Sequence, residues 1–216
     1  MPLQNRVAPD GEIFAVAARG GMYGNRGGCF HRPDQTLLKR RHATKQWICC
    51  VLQFKGRRRR LMQPGLFTEL FFLDEATALA AGHRPCFECR RADAVRFAEA
   101  WNQVAGHEGR AAAPAMDEVL HGQRIGHDGA KVCYTERIAA LPNGVFVRRA
   151  HGSALVWDQC LRPWTFEGYG VAEAVSPETS AEVLTPRMIV RILAAGYRPG
   201  VHASAGIGSS DPARAK

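Results

Sequence analysis

The sequence predicts an α+β chain: a small N-terminal domain, residues 1–105, then a mostly antiparallel β region, residues 106–205, closed by a helix. Three observations carry this. Four short β-type runs between Lys131 and Trp164 are separated by turn pairs, the pattern of strands joined by hairpins. Helix start and stop signals lie on both sides of that block. Between Gly106 and Pro114 the composition shifts to Gly and Ala, which places a boundary there. At 216 residues, 46% of them hydrophobic, the chain has material for one large domain or two small ones and for a sizeable core. That composition excludes a disordered chain.

Residues 1–28 read as Gly-rich and irregular, with one strand at Ile13–Ala17. Trp47–Phe54 (Trp-Ile-Cys-Cys-Val-Leu-Gln-Phe) reads as a strand, and Gly56 with the Arg run as the turn after it. Pro64-Gly65 is a further turn, and Phe67–Leu73 a second strand. Asp74 caps a helix over Glu75–Ala81, because its carboxylate can accept a free N–H of the first turn and the acidic start suits the helix dipole. Gly82 ends that helix as its C′ glycine. His83-Arg84-Pro85 leads to Cys86 and Cys89. A helix then runs from about Ala92 to Val104, with Val95, Ala98 and Trp101 on one face.

Beyond the boundary, Met116–His121 reads as a short helix. The strands of the second region fall at Lys131–Tyr134, Val145–Arg148, Ala154–Trp157 and Leu161–Trp164. Asn143-Gly144, His151-Gly152 and Asp158-Gln159 stand where turns are needed. Thr185-Pro186 offers an N-cap followed by proline at N1, opening a helix to Ala195 that Gly196 ends. The tail from Gly206 to Lys216 reads as disordered. One echo links the halves: Ala80-Ala81-Gly82-His83-Arg84-Pro85 resembles Ala194-Ala195-Gly196-Tyr197-Arg198-Pro199. The second copy lacks a Cys pair, and reuse of a good helix stop explains it.

The net charge of +9 is unevenly placed. Between Gln35 and Thr68 stand nine Lys or Arg (Lys39, Arg40, Arg41, Lys45, Lys55 and Arg57, Arg58, Arg59, Arg60) and no Asp or Glu; elsewhere twenty basic and twenty acidic residues balance. A field concentrated this way suits a polyanion such as nucleic acid, while a solvated loop is the plainer alternative. No apolar run approaches bilayer length, and Ile13–Ala18 is too short for a signal-peptide core. The expectation is a cytoplasmic protein without a membrane partner.

An odd number of cysteines, seven, in a chain of this size without a visible export signal points to metal binding or buried thiols rather than disulfides. Cys86-Phe87-Glu88-Cys89 puts two thiolates on one tight turn, close enough to chelate one ion, and zinc takes four such ligands in a tetrahedron. A helix starting just after Cys89 points backbone N–H groups at the sulfurs and favours thiolate. A redox pair is the alternative, but redox pairs usually follow a strand in a βαβ unit, whereas this one follows a helix stop and Pro85. Zinc is therefore the expected cofactor, and the N-terminal domain is expected to be zinc-stabilised. Candidates for the remaining ligands are, in order, His31, Cys50, Cys29 and Cys49, with His42 behind them. Neighbours in a strand face opposite sides, so only one of Cys49 and Cys50 can point at a given site; the other is then a small buried hydrophobe. Cys133 and Cys160, in apolar strand patterns, read as core.

The stretch from Phe71 through Gly82-His83-Arg84-Pro85-Cys86-Phe87-Glu88-Cys89-Arg90 resembles the end of the Ada-type metal-binding domain family. In that family a strand and a helix ending in Ala-Gly lead to an aromatic-Arg-Pro and a Cys-x-x-Cys-Arg. Gly24-Asn25-Arg26 and Phe30-His31-Arg32-Pro33-Asp34 resemble a variant found beside bacterial nucleases, in which a His and a Cys a few residues later begin the site. The resemblance spans roughly residues 22–104 and implies zinc held by His31, Cys86, Cys89 and one further ligand. The Cys that the variant carries just after Asp34 is Gln35 in this chain, so Cys50 or Cys29 has to supply the fourth position. The Cys-x-x-x-Cys first half used by methyl-accepting DNA-repair members is absent, and that activity is not implied.

Residues 107–205 contain no Walker loop, no Gly-x-Ser-x-Gly and no His-Glu-x-x-His. His121, His127 and His151 lie near turns and read as surface residues. Trp157, Trp164, Phe166 and Tyr169 read as core, with base stacking as the alternative. Three functions fit. The first is a zinc-built protein that contacts nucleic acid, DNA in preference to RNA, through Lys55, Arg57, Arg58, Arg59 and Arg60 with Arg40 and Arg41. The second is a metal-dependent nuclease in which His31 or His83 activates water and Glu69 or Asp74 holds a second metal. The third is a zinc-stabilised module that binds an acidic protein.

Overall fold

The computed structural model describes residues 1–57, 60–106 and 111–207. It is an α+β structure with two six-stranded sheets, both mostly antiparallel. The first sheet draws on β1 (Arg6–Val7), β2 (Ile13–Phe14), β3 (Met22–Arg26), β4 (Trp47–Val51), β5 (Leu70–Phe72) and β6 (Arg84–Pro85), in the order β2-β1-β5-β3-β4-β6. Helix α1 (Glu75–Ala80) sits between β5 and β6 in the chain, and α2 (Arg91–Ala105) follows β6. After α3 (Ala113–Arg124) the second sheet uses β7 (Tyr134–Arg137), β8 (Phe146–Arg148), β9 (Ser153–Trp157), β10 (Cys160–Pro163), β11 (Glu173–Ala174) and β12 (Ser180–Val183). Its order is β11-β10-β9-β8-β12-β7; α4 (Arg187–Ala194) follows β12, and a 3-10 turn at Ala203–Ala205 comes after it. No helix among the described residues is long and apolar enough to cross a membrane.

The irregular reading of residues 1–28 is corrected by β3, a five-residue strand between β5 and β4. Gly24 and Asn25 give it poor strand propensity. Packing demands the glycine all the same: a Cβ at Gly24 would lie 2.4 Å from the Ile48 carbonyl oxygen. The cap reading at Thr185 is also corrected. Its hydroxyl accepts from the Phe146 N–H at 2.9 Å, tying α4's entry to β8, and Pro186 occupies the cap position instead. The expected strand at Lys131–Tyr134 lies further along, at Tyr134–Arg137, and the expected short helix extends over Ala113–Arg124. Asp74 does cap α1, accepting from the Thr77 N–H at 2.8 Å. Asp158 and Gln159 form the left-handed pair of a two-residue hairpin between β9 and β10, at φ 50 and 58. The Asn143 side chain holds that turn by donating to the Asp158 carboxylate and accepting its N–H. Of the expected tail, only Gly206 and Ile207 are described, and Ile207 packs against the core.

Alternation along β9 explains the layering. Ala154 and Val156 face a core shared with Phe97 and Trp101 of α2, Met116 and Leu120 of α3, and Ile189 and Ile192 of α4. Leu155 and Trp157 face the other way, onto Leu73, Ala76 and Ala80. All five residues of β9 are buried, as a strand covered on both faces must be. Helix α1 lies between the two sheets: Ala76 and Ala80 meet the second, Ala78 and Ala81 the core of the first. Its Glu-Ala-Thr-Ala-Leu-Ala sequence suits this, since small side chains let both sheets approach closely. The exit from α1 is tight for the same reason. Gly82 has φ +82, and a Cβ there would meet the Arg124 side chain at 2.6 Å.

Candidate metal centre

Cys50 comes from β4, and Cys86 and Cys89 from the turn between β6 and α2. The sheet brings them together. β4 and β6 run parallel with Ile48 opposite Arg84 and Cys49 opposite Pro85, so Cys50 and Cys86 come next in register. The Cys86 N–H donates to the Cys49 carbonyl at 3.0 Å, which fixes the start of the Cys-x-x-Cys turn. The sulfurs of Cys50, Cys86 and Cys89 all lie within 4.8 Å of one another. Among the described residues this is the sole cluster of three or more His, Cys, Asp or Glu groups that could hold a metal ion.

The turn is built to stabilise thiolate. The Glu88 N–H donates to Cys86 Sγ at 3.4 Å, and the Cys89 backbone adds a second hydrogen bond to the same sulfur. The Val51 backbone hydrogen-bonds to the Cys89 sulfur. The hydrogen bond from the Cys50 thiol, then that from Cys89, pushes the Cys86 thiol well down; by giving that bond Cys50 is pushed up. The three sulfurs thus share hydrogen-bonded protons, and the donors gathered around Cys86 favour its thiolate form. Displacing the shared protons is what binding of a metal cation to thiolates requires.

Neighbouring groups brace the turn from behind. Arg90, 1% exposed at its side chain, pairs with Glu75 at 2.8 Å and Asp93 at 2.5 Å. Glu75 also accepts from the Tyr197 hydroxyl and the Gly200 N–H, so α1, α2 and the segment after α4 meet behind the cysteines. Arg84, two residues before Cys86, makes a two-pronged bond to Asp117 of α3 at 2.9 and 2.7 Å. The guanidiniums of Arg26 and Arg124 lie 3.9 and 4.0 Å from a Trp47 ring centroid, holding the start of β4.

The other expected ligands lie elsewhere. Cys49 faces the opposite side of β4, fully buried in the first sheet's core, where burial pushes its thiol up to about 12. His31 does not join the three sulfurs. One ring nitrogen is 2.7 Å from the Thr68 hydroxyl, the other 3.2 Å from the Gln63 carbonyl, and Cys29 Sγ sits 3.7 Å away. His42 stacks near Trp47 and His121. Cys160 begins β10, and Cys133 packs against the core near Leu73. The residues considered for water activation or a second metal are also engaged. His83 is fully buried between Trp47 and Phe72, so it has no path to water. Asp74 caps α1 and accepts from the Tyr169 hydroxyl, and Glu69 accepts the Met62 N–H. Trp157 and Tyr169 are core residues, and Trp164 donates to the Thr77 hydroxyl.

The three cysteines border a cavity of about 300 Å³. It also takes in Asn25 and Glu69, which sequence reasoning did not connect to the cysteines, because only pairing through β3 puts them on one face. Arg57 lines its edge and pairs with Glu88 at 2.8 Å. Lys55 and Arg60 are exposed, Arg40 is exposed and reaches the Cys29 carbonyl, and Arg41 donates to the Leu38 carbonyl. Arg58 and Arg59 lie outside the described residues.

Fold and site together define an α+β protein with a three-cysteine cluster able to hold a metal ion. No family model matches the chain, and no curated protein or solved structure matches it either, so no Ada-type domain is identified by comparison.

Proposed function

We propose that the chain is a zinc protein whose Cys50, Cys86 and Cys89 hold the ion, and that the basic segment beside this centre contacts nucleic acid. The observation that supports it most is the convergence of three sulfurs within 4.8 Å from two separate parts of the chain. Thiolates are soft ligands that suit zinc, and backbone N–H groups turned toward the sulfurs favour the thiolate form. Bound there, zinc would lock β4 to the β6–α2 turn and neutralise the thiolate charge. Three sulfurs leave one position of a tetrahedral ion to a further ligand. The likeness of residues 71–90 to Ada-type domains agrees with this reading.

The nucleic-acid part rests on charge. The excess of basic residues is confined to 35–68, and Arg57, at the edge of the cysteine cavity, belongs to that segment. Arg40, Arg41, Lys55 and Arg60 lie in the same segment. Phosphate contacts by Lys and Arg release counterions, so binding weakens with salt in proportion to their number. Replacing Arg57, Arg58, Arg59 and Arg60 together with Ser is expected to weaken DNA binding evenly across sequences. If all four contact phosphates on duplex DNA, the salt slope should lose about 3.6. Affinity measured at several salt concentrations checks this, and an unchanged affinity and slope would remove nucleic acid from the account.

A further inference from the structure

The cavity beside the cysteines has mostly apolar walls, and its rim carries Arg57 paired with Glu88 at 2.8 Å. Phe54, Phe67, Phe71 and Tyr23 contribute aromatic rings, and Asn25 and Glu69 contribute polar side chains. Phe67 is 42% exposed and Leu52, also lining the cavity, 50% exposed, so large apolar surface stands open to solvent at its mouth. Above Phe54 sit two cations: Lys55 Nζ is 5.2 Å from the ring centroid and Arg57 Cζ 5.4 Å. Arg6, opposite Phe71 in the β1–β5 pairing, lies over its ring at 4.7 Å from the centroid. Basic residues interleaved with exposed rings are the composition of a surface that takes a phosphate chain and stacks its bases. A cavity of about 300 Å³ is small for a folded partner and ample for one planar heterocycle.

We infer that the cavity receives one unstacked base of a single-stranded nucleic acid, while the basic segment holds the adjoining phosphates. This deepens the nucleic-acid reading above and rests on it. Three features select a base over another apolar occupant. Phe67, open to solvent at the mouth, offers a ring for stacking, which every base satisfies regardless of sequence. Asn25 Oδ1 accepts the Gly27 N–H and Glu69 Oε2 the Met62 N–H, which leaves the Asn25 amide NH2 and the second Glu69 oxygen as the donor and acceptor to meet a base edge. Beyond the Arg57–Glu88 pair, the flanking chain is basic, with Lys55 and Arg60 exposed and no acidic residue between Gln35 and Thr68. A duplex keeps its bases stacked and has to give up that energy first, so single strands are the preferred form.

The test compares three probes on the full-length, metal-loaded protein by fluorescence anisotropy: a short single-stranded DNA, its duplex, and a strand of equal length whose sugar-phosphate chain carries no bases. The inference predicts that the abasic strand binds at least about tenfold more weakly than the normal strand, with the same dependence on salt. It also predicts that Phe67→Ala with Phe54→Ala weakens the normal strand toward the abasic level and leaves abasic binding unchanged. Equal binding of normal and abasic strands would overturn the inference and leave the phosphate-contact reading standing. Binding to none of the three would overturn both. The probe comparison uses the unaltered protein, so it decides the matter even if the double variant fails to fold.

Discussion

Cys86→Ser is expected to abolish metal binding and to lower the free energy of unfolding by about 4 kcal/mol or more. Cys86 is the sulfur on which the cluster converges. It receives the Glu88 N–H and the hydrogen bonds from Cys50 and Cys89, which push its thiol well down. A serine hydroxyl is a poor ligand for a soft ion, and two remaining sulfurs hold zinc far less tightly than three. Because an ion bound only by the folded state stabilises it, losing the site removes that contribution. Urea unfolding checks the size. Chelator-treated wild type should unfold at the same concentration as the variant, since both lack the ion. Cys160→Ser, in β10 outside the cluster, should leave metal content intact.

The second large effect lies behind the site. Asp117→Ala is expected to destabilise the protein by about 3–5 kcal/mol, because it strands the Arg84 guanidinium in the interior without its partner. Both side chains are almost fully buried, 2% and 6% exposed, and the bond is bidentate. The contrast is Glu118, one residue on, whose bond to Lys45 is exposed at both ends. Glu118→Ala should show no measurable change, since solvent and salt screen such pairs. Arg84 belongs to β6, which sets the register of the cysteine turn. Asp117→Ala should therefore also weaken metal affinity, while Glu118→Ala should not. Equal effects of the two substitutions would show that α3 does not brace the site.

Much of this arrangement was legible in the chain, and the exceptions have physical reasons. Asp74 and Gly82 marked α1 because a cap and a left-handed stop are local features, decided within a few residues. The strand pattern around Cys49 and Cys50 told that one faces the core and the other the opposite side, since alternation is built into a strand. Which of the two did which was not legible, because it depends on the neighbour across the sheet. His31 ranked first among the further ligands for want of that information; Thr68 and Gln63, distant in sequence, hold its ring instead. Strand β3 was missed because Gly24 and Asn25 satisfy packing rather than propensity. The cavity's polar residues followed from that miss, since β3 carries Asn25 and aligns Glu69 beside it.

The central claim is that Cys50, Cys86 and Cys89 hold one zinc ion. Metal content of the purified protein, measured for the wild type and for Cys50→Ser, Cys86→Ser and His31→Ala, tests it most directly. The account predicts one zinc per chain in the wild type and in His31→Ala, and none in either cysteine variant. A folded wild type free of metal, or one that keeps its zinc after Cys86→Ser and loses it after His31→Ala, would contradict it.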